Sequence, residues 1–315
     1  MTSNNELRLL IKIATLYYDE GVKQADIAKN LNLSQSQVSR ALSRCLKDGL
    51  VKISVVQPPN IFVSLEREIQ SRFDFAQAIV VDVPDDASQD QIRRAIGAAA
   101  AHYMHTTLQK DELIGISSWS ETIRAMVDNM HPLANKARGV IQMIGGVGHN
   151  GNLQATMLTH SLARLLECDS YLLPATGIGQ SVEDRTRLMS SPEVLDVVGR
   201  FEEINLALVG IGSTEPSFLL RNSGNYFQEE MTSELVKRGA VGDICLHYFD
   251  QQGEPVLKDQ EDPVISMSLA QLKNCPRVVG LAGGLDRVDA IKGALAGGYI
   301  DVLITDRITA KALVK

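Results

Sequence analysis

The sequence predicts an α/β protein in which a small all-helical amino-terminal domain precedes a larger, doubly wound α/β domain. Near the amino terminus, apolar residues recur at the three- and four-residue spacing of amphipathic helices. From Ala78 onward, short apolar runs such as AIVVDV, LIGI, VIQMIGG, VGDICLHYFD and DVLITD alternate with helical stretches, which is typical of parallel strands joined by crossover helices. The break falls at Gln57-Pro58-Pro59-Asn60, because prolines lack amide donors and fix their own backbone angles.

Length and composition predict two domains and no membrane span. The chain has 315 residues, 44% of them hydrophobic, as is usual for proteins with sizeable apolar cores. We expect domains over residues 1–56 and 74–315, joined by a linker with a helix over 57–73. There is no long apolar run and no basic-then-apolar leader, so we expect a cytoplasmic protein without a membrane partner. The four cysteines are widely separated, which favours reduced thiols over disulfides or a zinc site.

Charge is distributed unevenly along the chain. The net charge is −7 overall, yet residues 1–53 contain eight Lys or Arg against five Asp or Glu, a balance of +3. The remainder therefore holds 23 basic against 33 acidic residues, a balance of −10. An acidic body with a basic end argues against a protein that coats nucleic acid and suits contact with phosphates at one end only.

The segment Ile27–Ile53 has the residue order of a helix-turn-helix. Asn32 stands where the turn requires a left-handed residue, a conformation that Asn tolerates better than most side chains. Ser34 and Gln37 are spaced as a capping box for the second helix, and Asp48-Gly49 ends that helix. The inward stripe of the second helix is predicted to contain Val38 and Leu42, with Cys45 and Leu46 as further candidates.

The outward face of this second helix predicts the reading of double-stranded DNA. This face carries hydroxyl, amide and guanidinium side chains and no acidic residue. Its members are Ser34, Gln35, Ser36, Gln37, Ser39, Arg40 and Arg44. Gln and Arg can make paired hydrogen bonds to base edges, and Ser can bond phosphates. The alternative is a helical hairpin that packs within its own protein, but the helix cap and the absence of outward acidic residues favour DNA.

Three further elements complete this part of the chain. A helix over Leu7–Tyr18 is predicted to pack beneath the other two, because its apolar residues share one face. Leu50–Val56 alternates as a strand does, which predicts a small wing. After the prolines, Ile61–Phe73 returns to helical spacing and is predicted to form a linker helix.

Four predicted strands end in segments rich in glycine or hydroxyl groups, at the sheet edge where open α/β sheets bind ligands. The first segment gathers hydroxyls and amides at a helix start, which favours an anion, and the others contain glycines that let backbone approach a ligand. The segments are Ser117–Thr122, Gly145–Gly148, Gly210–Ser213 and Ala282–Gly284. A lone glycine pair is usually only a tight turn, but four such segments at one edge predict a pocket for a phosphorylated small molecule.

The order of these motifs resembles the SorC family of bacterial sugar-responsive transcriptional regulators, sometimes grouped under the DeoR name. The resemblance spans nearly the whole chain and is carried by YYDEGVKQADIAKNLNLSQSQVSRAL, GISSWSET, LVGIGS, GAVGDICLHYFDQQGEPV, VVGLAGG and DVLITDRITAKALV. It implies a helix-turn-helix domain joined to a Rossmann-like effector domain similar to sugar-phosphate isomerases and glucosamine-phosphate deaminases. It also implies a phosphorylated sugar or related metabolite as effector, and dimers or tetramers on DNA.

The resemblance also implies a set of effector contacts. In chain order these are Ser118, Trp119, Ser120, Thr122, Gly145, Gly146, Arg221, Asp243, Gly283, Gly284 and Arg287. Asp243 would accept hydrogen bonds from sugar hydroxyls. Arg287 stands where the family usually has Lys, and its planar fork keeps the charge while changing the geometry offered to phosphate. Ile144 is apolar where relatives often carry a polar residue, which leaves the identity of the sugar open.

Two functions follow from this sequence. The first is a DNA-binding transcriptional regulator of carbohydrate metabolism, a homodimer or homotetramer whose operator affinity is controlled by a phosphorylated sugar. The alternative is a sugar-phosphate isomerase or deaminase with Asp243 as general base and an amino-terminal oligomerisation domain. Because a fold alone does not confer chemistry, we expect no enzyme and no cofactor. We also expect no metal site, since His102 and His105 share a helical face without a third ligand.

Overall fold

The computed structural model describes residues 4–51, 60–133, 137–147 and 151–315. The chain divides into two compact units, Met1–Pro58 and Pro59–Lys315. This division falls within the proline break; the domain limits 1–56, 57–73 and 74–315 stay a prediction. Among the described residues, no helix is both long enough and apolar enough to cross a membrane.

The amino-terminal unit is built from three helices: α1 (Asn4–Ala14), which continues into a π-helical turn, α2 (Gln24–Asn30) and α3 (Gln35–Lys47). Its core joins Ile13 of α1, Ile27 of α2 and the stripe of α3. Val38, Leu42 and Cys45 are buried as predicted, whereas Leu46 is 42% exposed. A helix turns about 100° per residue, so a stripe centred on these three positions leaves Leu46 beside it. The wing predicted over Leu50–Val56 lies almost wholly outside the described residues.

The local signals of the helix-turn-helix are confirmed. Asn32 has φ 54° and Gly49 has φ 71°, so both occupy the left-handed region that their turns require. The Ser34 hydroxyl accepts from the Gln37 amide at 3.2 Å, and the Gln37 side chain accepts from the Ser34 amide at 2.8 Å. This capping box fixes the start of α3 and the direction in which its first turn faces.

The second unit contains a parallel sheet and a small antiparallel sheet. Its strands are β1 (Gln77–Val81), β2 (Glu112–Ile116), β3 (Ala137–Gln142), β4 (Asp169–Tyr171), β5 (Leu206–Gly210), β6 (Gly212–Ser213), β7 (Gly242–Ile244), β8 (His247–Phe249), β9 (Val278–Leu281) and β10 (Val302–Asp306). Within the described residues, the parallel sheet has the order β1-β10-β9-β5-β2-β3-β4, and the antiparallel sheet has the order β6-β7-β8. The predicted α/β fold class is confirmed.

The helices of this unit are α4 (Val63–Phe73), α5 (Gln89–Thr107), α6 (Glu121–Asp128), α7 (Gly151–Leu165), α8 (Val182–Met189), α9 (Pro192–Val198), α10 (Phe218–Ser223), α11 (Glu229–Lys237), α12 (Leu269–Asn274), α13 (Val288–Ala296) and α14 (Arg307–Leu313). The helix predicted as a linker, α4, packs on the sheet. Its Ile69 is fully buried, and its Glu66 accepts a hydrogen bond from the Val80 amide at 2.9 Å. Helix α4 therefore contributes to the core of the second unit.

Apolar packing covers both faces of the parallel sheet. Along β5, Leu206 and Leu208 belong to one buried cluster, while Ala207 and Val209 belong to the other. Because successive side chains of a strand point to opposite faces, this division shows that the sheet is covered on both sides. The unit is therefore doubly wound, as predicted.

Strand order reverses between β2 and β5. From β2 the sheet continues through β3 to β4, and from β5 it continues through β9 and β10 to β1. The carboxyl ends of β2 and β5 thus diverge at a topological switch point, where open α/β sheets form ligand crevices. One apolar run differs from its prediction, because VGDICLHYFD forms the β7–β8 hairpin outside the parallel sheet.

Candidate functional site

A cleft opens at this switch point, with a cavity volume of about 90 Å³. We call it the switch-point cleft. Its polar and charged lining residues are Arg93, Ser117, Ser120, Glu121, Thr122, Ser213, Glu215, Ser217, Asp243 and Arg287. Its other lining residues include Trp119, Ile144, Ile211, Cys245 and Leu246. A small cavity that places polar groups among apolar walls suits a small ligand held in a fixed orientation.

The end of β2 supplies hydroxyl groups to the cleft. Ser120 caps α6 by accepting from the Ile123 amide at 3.3 Å, and Ser117 accepts from the Gly210 amide at 3.0 Å. The second bond joins the ends of β2 and β5. Gly210 must lack a side chain, because a Cβ there would lie 2.7 Å from the Ser120 hydroxyl oxygen. The start of α6 therefore presents hydroxyls and a helix dipole to the cleft, an arrangement that favours an anion.

Asp243 lies in the antiparallel sheet and lines the opposite part of the site. Its carboxyl accepts from the Leu246 amide at 3.0 Å and packs over Gly212, where a Cβ would approach the Asp243 Oδ1 to 2.0 Å. Burial raises the pKa of this carboxyl to about 6, although the Leu246 amide and the charges of His247 and Arg287 act in the opposite direction. A shielded carboxylate of this kind is a strong acceptor for ligand hydroxyls.

Two guanidinium groups line the cleft. Arg287 is half-buried and donates to the Gly283 carbonyl at 3.0 Å. Arg93, on α5, forms an ion pair with Glu121 in the first turn of α6. Sequence reasoning missed Arg93, because it lies on an ordinary helical face outside any recognisable motif. Its spacing from the capping box at Ser88 and Gln91 was the available signal, since that box places Arg93 on the second turn of the helix.

The structure brings together five of the eleven predicted effector contacts, namely Trp119, Ser120, Thr122, Asp243 and Arg287. The remaining six, Ser118, Gly145, Gly146, Arg221, Gly283 and Gly284, do not line the cleft. Ser118 is fully buried and bonds Thr159 at 3.1 Å. Arg221 is exposed and donates to the Pro216 carbonyl at 3.1 Å. The contact roles of all eleven residues stay predictions.

The glycines of this group are required by packing. A Cβ at Gly145 would lie 2.1 Å from the Thr176 carbonyl oxygen, and one at Gly146 would lie 2.6 Å from the Gln142 amide nitrogen. At Gly283 a Cβ would approach Asp306, and Gly284 has φ 100°. Gly145 therefore lets backbone approach closely, while Gly146 and Gly283 leave room for the buried side chains of Gln142 and Asp306. Gly148 and His149, in the same predicted loop as Gly145, lie outside the described residues.

The predicted DNA-reading face is exposed on α3. Ser34, Gln35, Ser36, Gln37, Ser39 and Arg40 are all exposed. The Ser34 and Gln37 side chains take part in the capping box, and Arg40 Nε donates to the Ser36 carbonyl at 3.2 Å. Arg44 is half-buried and paired with both Glu6 and Asp48. Gln35, Ser39 and Arg40 therefore form the most accessible part of this face; the base contacts stay predictions.

Comparison with known proteins identifies the family. Residues 57–315 match the family described as "Putative sugar-binding domain", and residues 13–52 match "Winged helix-turn-helix DNA-binding". The sorbitol operon regulator of Klebsiella pneumoniae is 30% identical over the full length of both chains. The chain belongs to the SorC family. The recognition made from the sequence motifs is confirmed.

Two further similarities extend along nearly the whole SorC-family chain. The deoxyribonucleoside regulator of Bacillus subtilis (strain 168) is 31% identical, over 98% of this chain and 97% of that protein. The crystal structure of full-length SorC from Klebsiella pneumoniae superposes with a TM-score of 0.72 at 27% identity, covering 99% of this chain and all of that one. The names of all these relatives describe them as regulators. The chain is a transcriptional regulator with a helix-turn-helix and a sugar-binding domain, not an enzyme.

Among the described residues, no group of three or more His, Cys, Asp or Glu side chains is arranged to hold a metal ion.

Proposed function

We propose that this SorC-family regulator binds a phosphorylated sugar or polyol in the switch-point cleft, and that binding controls its affinity for an operator in carbohydrate metabolism. The observation that carries the proposal is the polarity of the cleft. The start of α6 and two guanidinium groups line it together with the Asp243 carboxyl. A phosphorylated polyol has matching parts, since its phosphate requires donors and its hydroxyls require an acceptor.

A ligand phosphate would compete with a carboxylate of the protein for the Arg93 guanidinium. Glu121 already pairs with Arg93, and the charged lining consists of two arginines and the acids Glu121, Glu215 and Asp243. A phosphate reaching Arg93 therefore displaces the Glu121 carboxylate or shares the guanidinium with it. Arg287 has its own acidic neighbour, Asp286 at 3.7 Å, which does not line the cleft, and the start of α6 offers further donors.

Control of DNA binding requires the ligand to distinguish two states of the regulator. A ligand that binds one state more tightly shifts the equilibrium by its difference in affinity, typically ~1–3 kcal/mol for an allosteric coupling. We infer that the two states differ in how the protein assembles on DNA, as a homodimer or homotetramer in the bacterial cytoplasm. Whether the ligand promotes or releases operator binding follows from which state it prefers.

The test is a fluorescence anisotropy titration of a labelled duplex carrying the regulator's own upstream region. The titration is repeated with sugar phosphates, polyol phosphates and their unphosphorylated parents. We expect one phosphorylated compound to change the operator Kd by about fivefold or more, in line with usual coupling energies, and its parent to have little effect. Equal effects of phosphorylated and parent compounds would contradict the requirement for a phosphate group on the ligand. Binding that does not depend on DNA sequence would contradict the proposed role as an operator-specific regulator.

A matched pair of variants connects this effect to the cleft. Arg93→Ala removes a lining guanidinium, whereas Arg94→Ala removes its exposed neighbour on α5, which pairs with Asp90 in the same helix. R93A is expected to weaken the phosphorylated ligand roughly tenfold or more, the usual cost of a lost charged hydrogen bond, while R94A should match the wild type. Equal responses from the two variants would place the phosphate elsewhere.

A further inference from the structure

Three buried polar side chains lie behind the turn that carries Asp243. Asp262 Oδ2 lies 2.6 Å from His247 Nδ1, and His247 Nε2 lies 2.9 Å from Ser266 Oγ. All three residues are at most 8% exposed, and none of them lines the switch-point cleft. We call this chain of contacts the His247 network. Neither the sequence motifs nor the proposed ligand contacts assign it a role.

Ser266 connects this network to the backbone of the β7–β8 turn. Ser266 Oγ donates to the Cys245 carbonyl at 2.8 Å, and its other near neighbour, the Met267 carbonyl, is also an acceptor. The Cys245 carbonyl accepts the single hydroxyl proton of Ser266, and the same Oγ lies within hydrogen-bond distance of His247 Nε2. Asp262 orients the ring through Nδ1, and its second oxygen accepts from the Val264 amide at 3.0 Å. The network therefore ends on the backbone of Cys245.

That backbone is strained. Cys245 has φ 54° and Leu246 has φ 69°, both in the left-handed region, and neither is a glycine or asparagine. A two-residue hairpin turn with two positive φ angles normally uses Asn-Gly or Gly-Gly, so this turn persists only because its surroundings hold it. The Leu246 amide of the same turn donates to Asp243. The position of the Asp243 carboxylate therefore depends on the strained turn.

Ser266 is itself anchored to the end of β3. Ile144 and Ser266 form an isolated antiparallel bridge, the Met267 amide donates to Met143 at 2.9 Å, and the Gly145 amide donates to Ile265 at 3.0 Å. Ile144 lines the cleft. The His247 network thus joins the β7–β8 hairpin to the strand end beside the cleft and ties two parts of the ligand site to each other.

We propose that the His247 network is a positioning device that holds the strained Cys245–Leu246 turn and thereby fixes the Asp243 carboxylate for its ligand. The consequence for ligand affinity rests on the proposed function, whereas the hold on the turn does not. The order Asp-His-Ser resembles a catalytic triad, but the buried Ser266 hydroxyl donates its proton to a backbone carbonyl and lies outside the cleft. His247, Asp262 and Ser266 are therefore positioning residues, not catalytic ones.

The Cys245 thiol reports on the turn without any ligand. It is 2% exposed, and both burial and Asp243 raise its pKa, so its alkylation is slow while the turn is held. The full-length protein is treated with N-ethylmaleimide, and each cysteine peptide is followed by mass spectrometry. Ser266→Ala is expected to speed modification of Cys245 roughly tenfold, because the Cys245 carbonyl loses its partner and the turn opens locally.

Cys275 is the internal control, since it is also buried, in the same unit, and bonded to the Ile204 carbonyl. Ser223→Ala is the matched variant, because it removes another buried hydroxyl that donates to a backbone carbonyl, at 2.7 Å. S223A should leave the rate at Cys245 unchanged, and Ser266→Thr, which keeps the hydroxyl, should restore slow labelling. Equal acceleration at Cys245 and Cys275 in S266A, or none at Cys245, would overturn the proposal.

A second variant and a second readout complete the test. His247→Gln keeps a hydrogen-bonding amide near the Nε2 position, and its labelling rate should lie between those of the wild type and S266A. In thermal shift assays with sorbitol 6-phosphate and glucose 6-phosphate, S266A should lose most of any ligand-induced rise in melting temperature, and S266T should recover it. No rise for the wild type with these two compounds or with the phosphorylated compounds of the operator titration would refute the proposed function, while the Cys245 rates would still decide the hold on the turn.

Discussion

Neutralising Asp243 should make the unliganded protein more stable while weakening its ligand. Burial raises the pKa of this carboxyl from an ordinary 3.8 to about 6. Because the folded-state value is the higher one, the contribution of Asp243 to stability is full below pH about 4 and is lost as the pH rises to about 6. At ~1.4 kcal/mol for each unit of pKa, the ionised Asp243 carboxylate destabilises the folded protein at neutral pH by at most ~3 kcal/mol.

Asp243→Asn removes that cost and keeps an oxygen to accept from the Leu246 amide. Allowing for solvent in the cleft, we expect D243N to be about 1–2 kcal/mol more stable than the wild type at pH 7.5, with the difference shrinking below pH about 5. Urea unfolding at matched protein concentration, from pH 4.5 to 8, measures this. Asp259→Asn, at an exposed site of the same unit, is the control.

Ligand affinity should move in the opposite direction. Losing a charged acceptor for a ligand hydroxyl should raise the ligand Kd roughly tenfold or more. The conclusion that burial of the ionised Asp243 carboxylate destabilises the folded protein would be refuted by one result. In that result, D243N is no more stable than the wild type at pH 7.5 and its stability has the same pH profile.

The remaining predictions concern the close packing at Gly212 in the cleft and the helix-turn-helix. Gly212→Ala would place a Cβ 2.0 Å from the Asp243 Oδ1, so calorimetry should show ligand affinity reduced as in D243N, and urea unfolding should show no gain in stability. Arg40→Ala should cost about 1–3 kcal/mol of discrimination between operator and random duplex in anisotropy titrations if Arg40 reads a base pair bidentately; equal losses on both duplexes would indicate phosphate contact. Ser34→Ala should lower the helix-turn-helix stability by about 1 kcal/mol, seen as faster amide exchange in the first turn of α3, and an unchanged exchange rate would contradict the capping role.

The sequence was most informative where structure is decided locally. The Ser34–Gln37 capping box and the left-handed Asn32 each depend on a few neighbouring side chains, and both occur as predicted. The alternation of strands and helices was equally readable, because buried parallel strands are continuous apolar runs. The switch-point cleft followed from that alternation, since the carboxyl ends of parallel strands share one edge of the sheet.

Long-range features were not readable in this way. The β7–β8 hairpin was predicted as one strand because Cys245 and Leu246 carry no turn signal; they take positive φ angles under tertiary restraint. Glycines such as Gly145 were predicted to approach a ligand, but the close neighbour is the Thr176 carbonyl, more than thirty positions away in the sequence by their numbers. Arg93 joins the cleft only because α5 packs beside α6, and residue spacing along the chain does not contain that fact.

The pairing of Arg44 with Glu6 and Asp48 affects how tightly a single helix-turn-helix domain, or head, can bind DNA. Counterion release scales with the number of phosphates that a protein neutralises, at ~0.9 in the salt exponent for each. A guanidinium already compensated by two carboxylates adds little to that number, so we expect a shallow salt dependence and weak binding for a single head. In the proposed homodimer or homotetramer, useful occupancy would come from two or more heads engaging together, with a high effective concentration for the second contact. In such a system, a modest change in how the heads are spaced is enough to move a gene between its bound and free states.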